Sequence, residues 1–133
     1  MPRYLLDTNM CIAAMRGHPT VIQHLASMQP GDCAVSTITG YELYTGVQKC
    51  AKPDAERAKV DLLLGMVYEV AFDSRAAKET ARIRALLEHK GEMIGPYDVL
   101  LAGQAVADSL AVVTANTAEF GRVPGLTVEN WTR

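Results

Sequence analysis

Long apolar runs are missing from this chain of 133 residues. Its most hydrophobic stretches are interrupted by Glu69, Gln104 and Asp108, well short of the roughly 20 apolar residues that a membrane span needs. An excess of one charge is missing too. Thirteen Lys and Arg stand against 15 Asp and Glu, for a formal net charge of −2, so attraction to nucleic acid has to be local rather than global. Cysteine is scarce and odd in number. Cys11, Cys33 and Cys50 have no C-x-x-C spacing and sit in or beside apolar runs, which excludes a disulfide framework or a zinc site and points to reduced, buried thiols. His18, His24 and His89 show no spacing that would pair one of them with a nucleophilic Cys, and read as isolated surface imidazoles. The start Met1-Pro2-Arg3 leads directly into a strand, without the charged and apolar regions of a signal peptide. Repeats, low-complexity stretches and linkers are also missing. With 49% apolar and 21% charged residues, the expectation is one globular domain over residues 1–133, soluble and cytoplasmic, with enough chain to bury a core.

What is present is an alternation of short apolar strands with helical patterns, the signature of a parallel sheet covered on both faces. Tyr4-Leu5-Leu6 begins it. A short helix over Met10–Met15 is expected to end near Gly17, and another from Pro19 to Met28 is stopped by Pro30-Gly31. A second strand covers Cys33 to Val35, followed by a helix from about Thr37 to Val47. Pro53 at a first helical position opens the next helix, with Val60, Leu63, Leu64 and Val67 on one face. Val67 to Phe72 is a strand candidate. Asp73 or Ser74 caps a long helix with an inner stripe of Ala76, Thr80, Ile83 and Leu87, and Gly91 ends it. Val128 reads as a final edge strand, with Trp131 packing the C-terminus onto the body.

Against this background four acids stand out. Asp7 sits at the tip of the first strand, where open α/β sheets bind ligands. Glu42 follows the second strand; Thr39-Gly40-Tyr41-Glu42 has capping-box spacing, but if Ser36 or Thr37 is the true N-cap, Glu42 lies at least a turn inside the helix and cannot close the box. Asp98 lies in the first turn of the apolar segment Ile94–Ala102, where helix capping is the plainer explanation. Glu119 follows the apolar run Leu110–Val113 and the turn-like Thr114-Ala115-Asn116-Thr117; the plainer reading is a surface acid. By contrast, Glu56, Asp61, Glu79 and Glu88 lie on helix faces beside Lys or Arg, as solvated acids do. Arg75, Lys78 and Arg82 align on the outer face of the long helix. A solvated face is the default, and a track for nucleic-acid phosphates is the functional alternative.

The blocks Leu5-Leu6-Asp7-Thr8-Asn9, Ser36-Thr37-Ile38-Thr39 with Glu42-Leu43, Ile94-Gly95-Pro96-Tyr97-Asp98, and Val113-Thr114-Ala115-Asn116 with Glu119-Phe120 resemble the four signature blocks of PIN-domain ribonucleases. More narrowly, the chain resembles the VapC toxins of bacterial type II toxin–antitoxin systems, including the tRNA(fMet)-specific endonucleases. The ending Arg122-Val123-Pro124-Gly125-Leu126 with Trp131 strengthens the match. The resemblance implies a three-layer α/β/α sandwich with a central, mostly parallel sheet, Mg²⁺ as cofactor with Mn²⁺ as a substitute, a homodimer, and a VapB-type antitoxin that blocks the site. Asp7, Glu42, Asp98 and Glu119 fall on the family's acids, and Thr8, Asn9, Thr114 and Asn116 on its supporting polar positions. The implied substrate is initiator tRNA, cut in its anticodon loop. Gly40 and Gly103 depart from the family's bulkier residues, which bears on helix stability only.

The chemistry is coherent without the family name. Mg²⁺ takes oxygen ligands and keeps several waters, and carboxylates beside a phosphodiester are where it assists in-line attack. Asp7 and Asp98 are the expected direct contacts, with Glu42 and Glu119 acting through waters or a weaker second ion. A haloacid-dehalogenase-like phosphatase would need an Asp where Asn9 stands, and a response-regulator receiver expects its phosphoacceptor on a later strand. The remaining alternative is a binding module that joins an antitoxin on operator DNA. The chain has no helix-turn-helix of its own, so DNA contact would come only through that partner.

Overall fold

Adjacent residues on three strands go to opposite sides of one sheet, and this builds the layers. The computed structural model describes residues 2–29 and 31–133, so the stop expected at Pro30 lies outside the described residues. Leu5, Ala34 and Val112 enter one core cluster, while their neighbours Leu6, Val35 and Val113 enter another, as a period of two requires. All six are fully buried, each large side chain contributing about 1.5–3 kcal/mol of transfer free energy. Strands apolar on both faces are what a covered parallel sheet demands.

The strands are β1 (Tyr4–Leu6), β2 (Cys33–Ser36), β3 (Tyr68–Val70), β4 (Ala111–Val113) and β5 (Val128–Glu129), in the order β3-β2-β1-β4-β5. Every pairing is parallel, with Tyr4 opposite both Cys33 and Ala111. Helices α1 (Thr8–Met15), α2 (Pro19–Ala26), α3 (Thr37–Lys49) and α4 (Pro53–Gly65) supply the core on the Leu6 side; α5 (Ser74–Lys90), α6 (Pro96–Asp108) and α7 (Thr117–Phe120) supply it on the Leu5 side. The fold is therefore the expected three-layer α/β/α sandwich, with a wholly parallel sheet among the described residues.

The helix boundaries follow local chemistry. Asp73 caps α5 by accepting from the Ala76 N–H at 3.0 Å, and Gly91 ends it at φ 69°, a left-handed conformation that glycine adopts without strain. The stripe Ala76, Thr80, Ile83 and Leu87 is buried as expected. Helix α1 starts at Thr8 rather than Met10, because Asp7 is its N-cap. Helix α2 ends at Ala26, two residues early, and β3 is confined to Tyr68–Val70.

Two expectations need correction. The imidazoles are not all isolated on the surface: His24 stacks on the buried Trp131 ring at 5.0 Å and 4°, and His18 has a buried Nδ1 without a hydrogen-bond partner. Trp131, in turn, packs the C-terminus against Tyr4. Gly103 bears on more than helix stability. A Cβ there would stand 2.7 Å from the Thr80 Cα, so the absent side chain sets how closely α6 approaches α5. On the basic stripe Arg75 pairs with Asp108 at 2.6 Å and with Asp73 at 3.4 Å, and Arg82 pairs with Glu79 at 2.9 Å, while Lys78 is exposed and forms no salt bridge among the described residues.

Candidate active site

Strand order reverses at β1: the chain moves outward through β2 to β3, then returns to place β4 on the other side of β1. The crevice at the carboxyl ends of β1 and β4 is thus a topological switch point, the usual ligand site of an open α/β sheet. Asp7 stands at its floor. Its backbone N–H donates to the Val113 carbonyl at 3.0 Å, extending the β1–β4 ladder by one residue and fixing the side chain over the seam. One carboxylate oxygen accepts from the Met10 N–H at 2.8 Å. Asp7 is therefore at once strand tip and helix cap, and only 5% exposed. Burial raises its pKa, opposed by hydrogen bonds from Thr114 and the Met10 N–H, with the charge of Glu42 raising it further.

Helix α3 brings in Glu42. Ser36 is the N-cap, its hydroxyl accepting from the Ile38 N–H at 3.0 Å, so Glu42 lies more than a turn inside and the capping-box reading falls away. Its Oε1 instead accepts from the Thr8 hydroxyl at 2.6 Å. Thr8 is the residue next to Asp7, so this bond ties the second acid to the tip of β1. Thr39 is buried behind it, 3.5 Å from the Thr8 hydroxyl.

Asp98 and Glu119 meet through Asn116. The Asn116 amide donates to Asp98 Oδ2 at 3.3 Å and also to Glu119 Oε2, while its backbone N–H donates to the Thr114 hydroxyl at 2.9 Å. Glu119 Oε1 accepts from the Gly95 N–H at 3.1 Å, clasping the loop that begins α6. Glu119 is thus tied into the site and is not a loose surface acid. Asp98 lies in the first turn of α6, where the helix dipole favours an acid, but it makes no capping hydrogen bond to a backbone N–H among the described residues. Its pKa is pushed up to about 6 by burial, then by the charges of Asp7 and Glu119, with the Asn116 hydrogen bond pulling the other way and Glu42 adding a smaller push upward. That electrostatic linkage, together with the hydrogen bonds, brings all four acids into one neighbourhood.

Of the polar residues singled out in the sequence, Thr8 and Asn116 each donate to a site acid, and Thr114 accepts from the Asn116 backbone N–H. Asn9 is exposed in the first turn of α1 and makes no side-chain hydrogen bond among the described residues. Sequence reasoning missed Thr39 and the clasp on Gly95. The second had no local signal, because Gly95 and Glu119 are 24 residues apart.

The donor set suits a hard cation. It is all oxygen, and none of the four acids forms a salt bridge to Lys, Arg or His among the described residues. Mutual repulsion of this kind is relieved by a positive ion. The acids do not form a closed cage: among the described residues no three His, Cys, Asp or Glu side chains stand together as a ready ligand set. One or two carboxylates with a retained water shell is the usual manner of holding Mg²⁺. Two of the three thiols are poor nucleophiles, because burial pushes the Cys33 thiol up to about 11 and the Cys11 thiol higher still.

A parallel sheet carrying acids over its switch point is shared by several α/β enzyme classes; what singles out one of them is that the family model described as PIN domain matches residues 4–126. Among known proteins, the chain is 37% identical over 131 residues to the tRNA(fMet)-specific endonuclease VapC of Salmonella typhimurium, covering 98% of this chain and 99% of that one. It is 34% identical over 131 residues to the protein of the same description from Shigella flexneri, with the same coverage. Its structure superposes on the crystal structure of DNA-bound VapBC from Salmonella typhimurium with a TM-score of 0.93, over 98% of this chain and 99% of that chain, at 37% identity. The chain therefore belongs to the PIN-domain family and, within it, to the VapC proteins.

Proposed function

We propose that this chain is the ribonuclease toxin of a VapBC toxin–antitoxin pair: a divalent-metal-dependent endoribonuclease that cuts initiator tRNA(fMet) in its anticodon loop and so inhibits translation. The observation that carries the metal-dependent reading is the set of acids itself: Asn116 bridges Asp98 and Glu119, Thr8 ties Glu42 to the strand tip that bears Asp7, and among the described residues no Lys, Arg or His forms a salt bridge to any of the four. In this reading Asp7 and Asp98 hold Mg²⁺, or Mn²⁺ in its place, and Glu42 and Glu119 hold waters around it. When bound, the ion supplies positive charge to the phosphodiester and lowers the pKa of an attacking water. Thr8 and Asn116 fix the carboxylate rotamers, so the acids need little reorganisation when RNA arrives. The tRNA(fMet) assignment rests on the relatives of that description.

The neutralising partner is a VapB-type antitoxin, and operator DNA is contacted only through that complex. Support for a protein partner comes from an apolar groove between α1, α2 and α4, where Leu62 and Met66 are 68% and 55% exposed beside Ile22. It adjoins, through Met15 and Lys59, a second groove walled by Arg16 and Glu42. Exposed apolar patches of this kind mark interaction sites, and a segment laid along both grooves would reach the acids. Residues 1–133 work as a single PIN domain, as a homodimer in the cytoplasm. None of the described helices is long and apolar enough to cross a membrane.

Inducible expression in a bacterium tests this reading. Induction is expected to halt growth with loss of intact initiator tRNA, co-expression of the antitoxin to restore growth, and Asp7→Asn to be harmless. Growth arrest with every tRNA intact would contradict the substrate. Equal toxicity of Asp7→Asn would contradict the site.

A further inference from the structure

The acids that make this crevice a cation site also make it hostile to RNA. The net charge of −2 gives no general attraction, and on the α5 stripe Arg75 and Arg82 are already paired within the chain. Arg16 and Lys59 lie in the groove beside Glu42, and contacts that do not depend on charge would add binding energy where the acids repel phosphates.

Two exposed aromatics stand where such contacts are needed. Tyr41 on α3 immediately precedes Glu42, and Tyr97 on α6 immediately precedes Asp98. They are 56% and 40% exposed, yet they meet each other across the two helices, with ring centroids 6.0 Å apart, a 50° tilt and hydroxyls at 3.4 Å. Among the described residues this is the one aromatic pair with both rings exposed; the others involve the buried Trp131. Neither hydroxyl has another protein partner among the described residues, whereas Tyr44, one turn along α3, is committed to Asp61 at 2.7 Å.

Resting on the ribonuclease reading, we infer that Tyr41 and Tyr97 form a stacking platform for an unpaired nucleobase next to the phosphate that is cut. Every base presents a π-face, so stacking on Tyr is sequence-tolerant and insensitive to the repulsion felt by phosphates. Single-stranded loops are where RNA offers such bases. The rings stand too close for a base to pass between them, so the base stacks on an outer face while the second ring braces the first. The hydroxyl contact fixes the brace and is not the source of affinity. The tyrosines position substrate and take no part in bond breaking.

The test separates binding from cleavage. In the Asp7→Asn background, in which cleavage is expected to be too slow to interfere, binding of fluorescein-labelled ten-nucleotide oligouridylate and oligoadenylate is measured by anisotropy. Tyr41→Ala and Tyr97→Ala are each expected to weaken binding about tenfold, Tyr→Phe at either position less than about twofold, and Tyr68→Ala, an exposed ring on β3, not at all. With Asp7 restored and tRNA as substrate, the alanine variants are expected to raise KM by a similar factor and leave kcat within about threefold. Equal binding by the alanine variants overturns the inference, as does a Phe variant as weak as Ala, or failure of the Asp7→Asn protein to bind either oligomer. Sedimentation decides the other occupant: alanine variants that turn monomeric while the parent is dimeric assign the rings to a contact between copies. If the wild-type protein cuts no RNA at all, the ribonuclease reading itself fails, a result distinct from wild-type cleavage with unaffected tyrosine variants.

Discussion

Asp98→Asn should make the metal-free protein more stable while abolishing its activity, and the size of the gain follows from the site. The Asp98 carboxyl is held at about 6 in the folded protein against an ordinary value of 3.8, so the folded state keeps its proton more tightly than the unfolded chain. Stability therefore falls as pH rises from about 4 to about 6, and above that the full cost of an ionised, repelled carboxylate is present. Two pH units at 1.36 kcal/mol each set an upper scale of roughly 3 kcal/mol; with water reaching the half-buried group, about 2 kcal/mol is the working figure. Asparagine removes the charge and keeps an oxygen for the Asn116 amide. At this chain length that gain corresponds to about 7 °C in Tm. Thermal melts in EDTA at pH 7.5 should show it, the gap should narrow toward zero near pH 4, and saturating Mg²⁺ should narrow it at pH 7.5 by stabilising wild type alone. An Asp98→Asn protein melting at or below wild type at pH 7.5 in EDTA would refute the reasoning.

Other outcomes follow from individual contacts. Asp7→Asn keeps an N-cap oxygen for the Met10 N–H and should fold normally by circular dichroism, with cleavage down roughly a hundredfold or more; Asp7→Ala loses the cap as well, and hydrogen exchange should show faster opening of α1. Asn116→Ala breaks the bridge between Asp98 and Glu119 and should lower activity or metal affinity about 10- to 100-fold, read from Mn²⁺ titration and initial rates. Gly103→Ala should cost about 1–3 kcal/mol in urea unfolding. Adding Thr80→Ala should recover only part of that loss, because the Thr80 Cα stands in the way too.

Much of the fold could be read from the sequence because its cues are local. Asp73, Gly91 and the prolines at 53 and 96 punctuate helices within a few residues, and the stripe from Ala76 to Leu87 repeats at helical spacing. The acids at the strand ends could be read for the same reason, since Asp7 and Glu119 each follow an apolar run. What the sequence hid is contact between distant segments. Nothing near Glu42 says that Thr8 donates to it, because the two are 34 residues apart. The closeness of Gly103 to Thr80 is a helix-crossing distance with no sequence period, and His24 reads as a surface imidazole until Trp131 folds back onto it. Asn116 was legible as a turn residue, but its double hydrogen bond to Asp98 and Glu119 depends on how α6 is set against β4.

The central claim, metal-dependent RNA cleavage at the crevice of Asp7 and Asp98, is most directly tested by incubating purified protein with total bacterial RNA and mapping new 5′ ends by sequencing. One arm contains Mg²⁺, one EDTA, and one the Asp7→Asn protein with Mg²⁺. The account expects one dominant cut in the anticodon loop of initiator tRNA, present in the first arm and lost in the other two. A cut that persists in EDTA or in the variant, or no metal-dependent cut in any RNA, would contradict it.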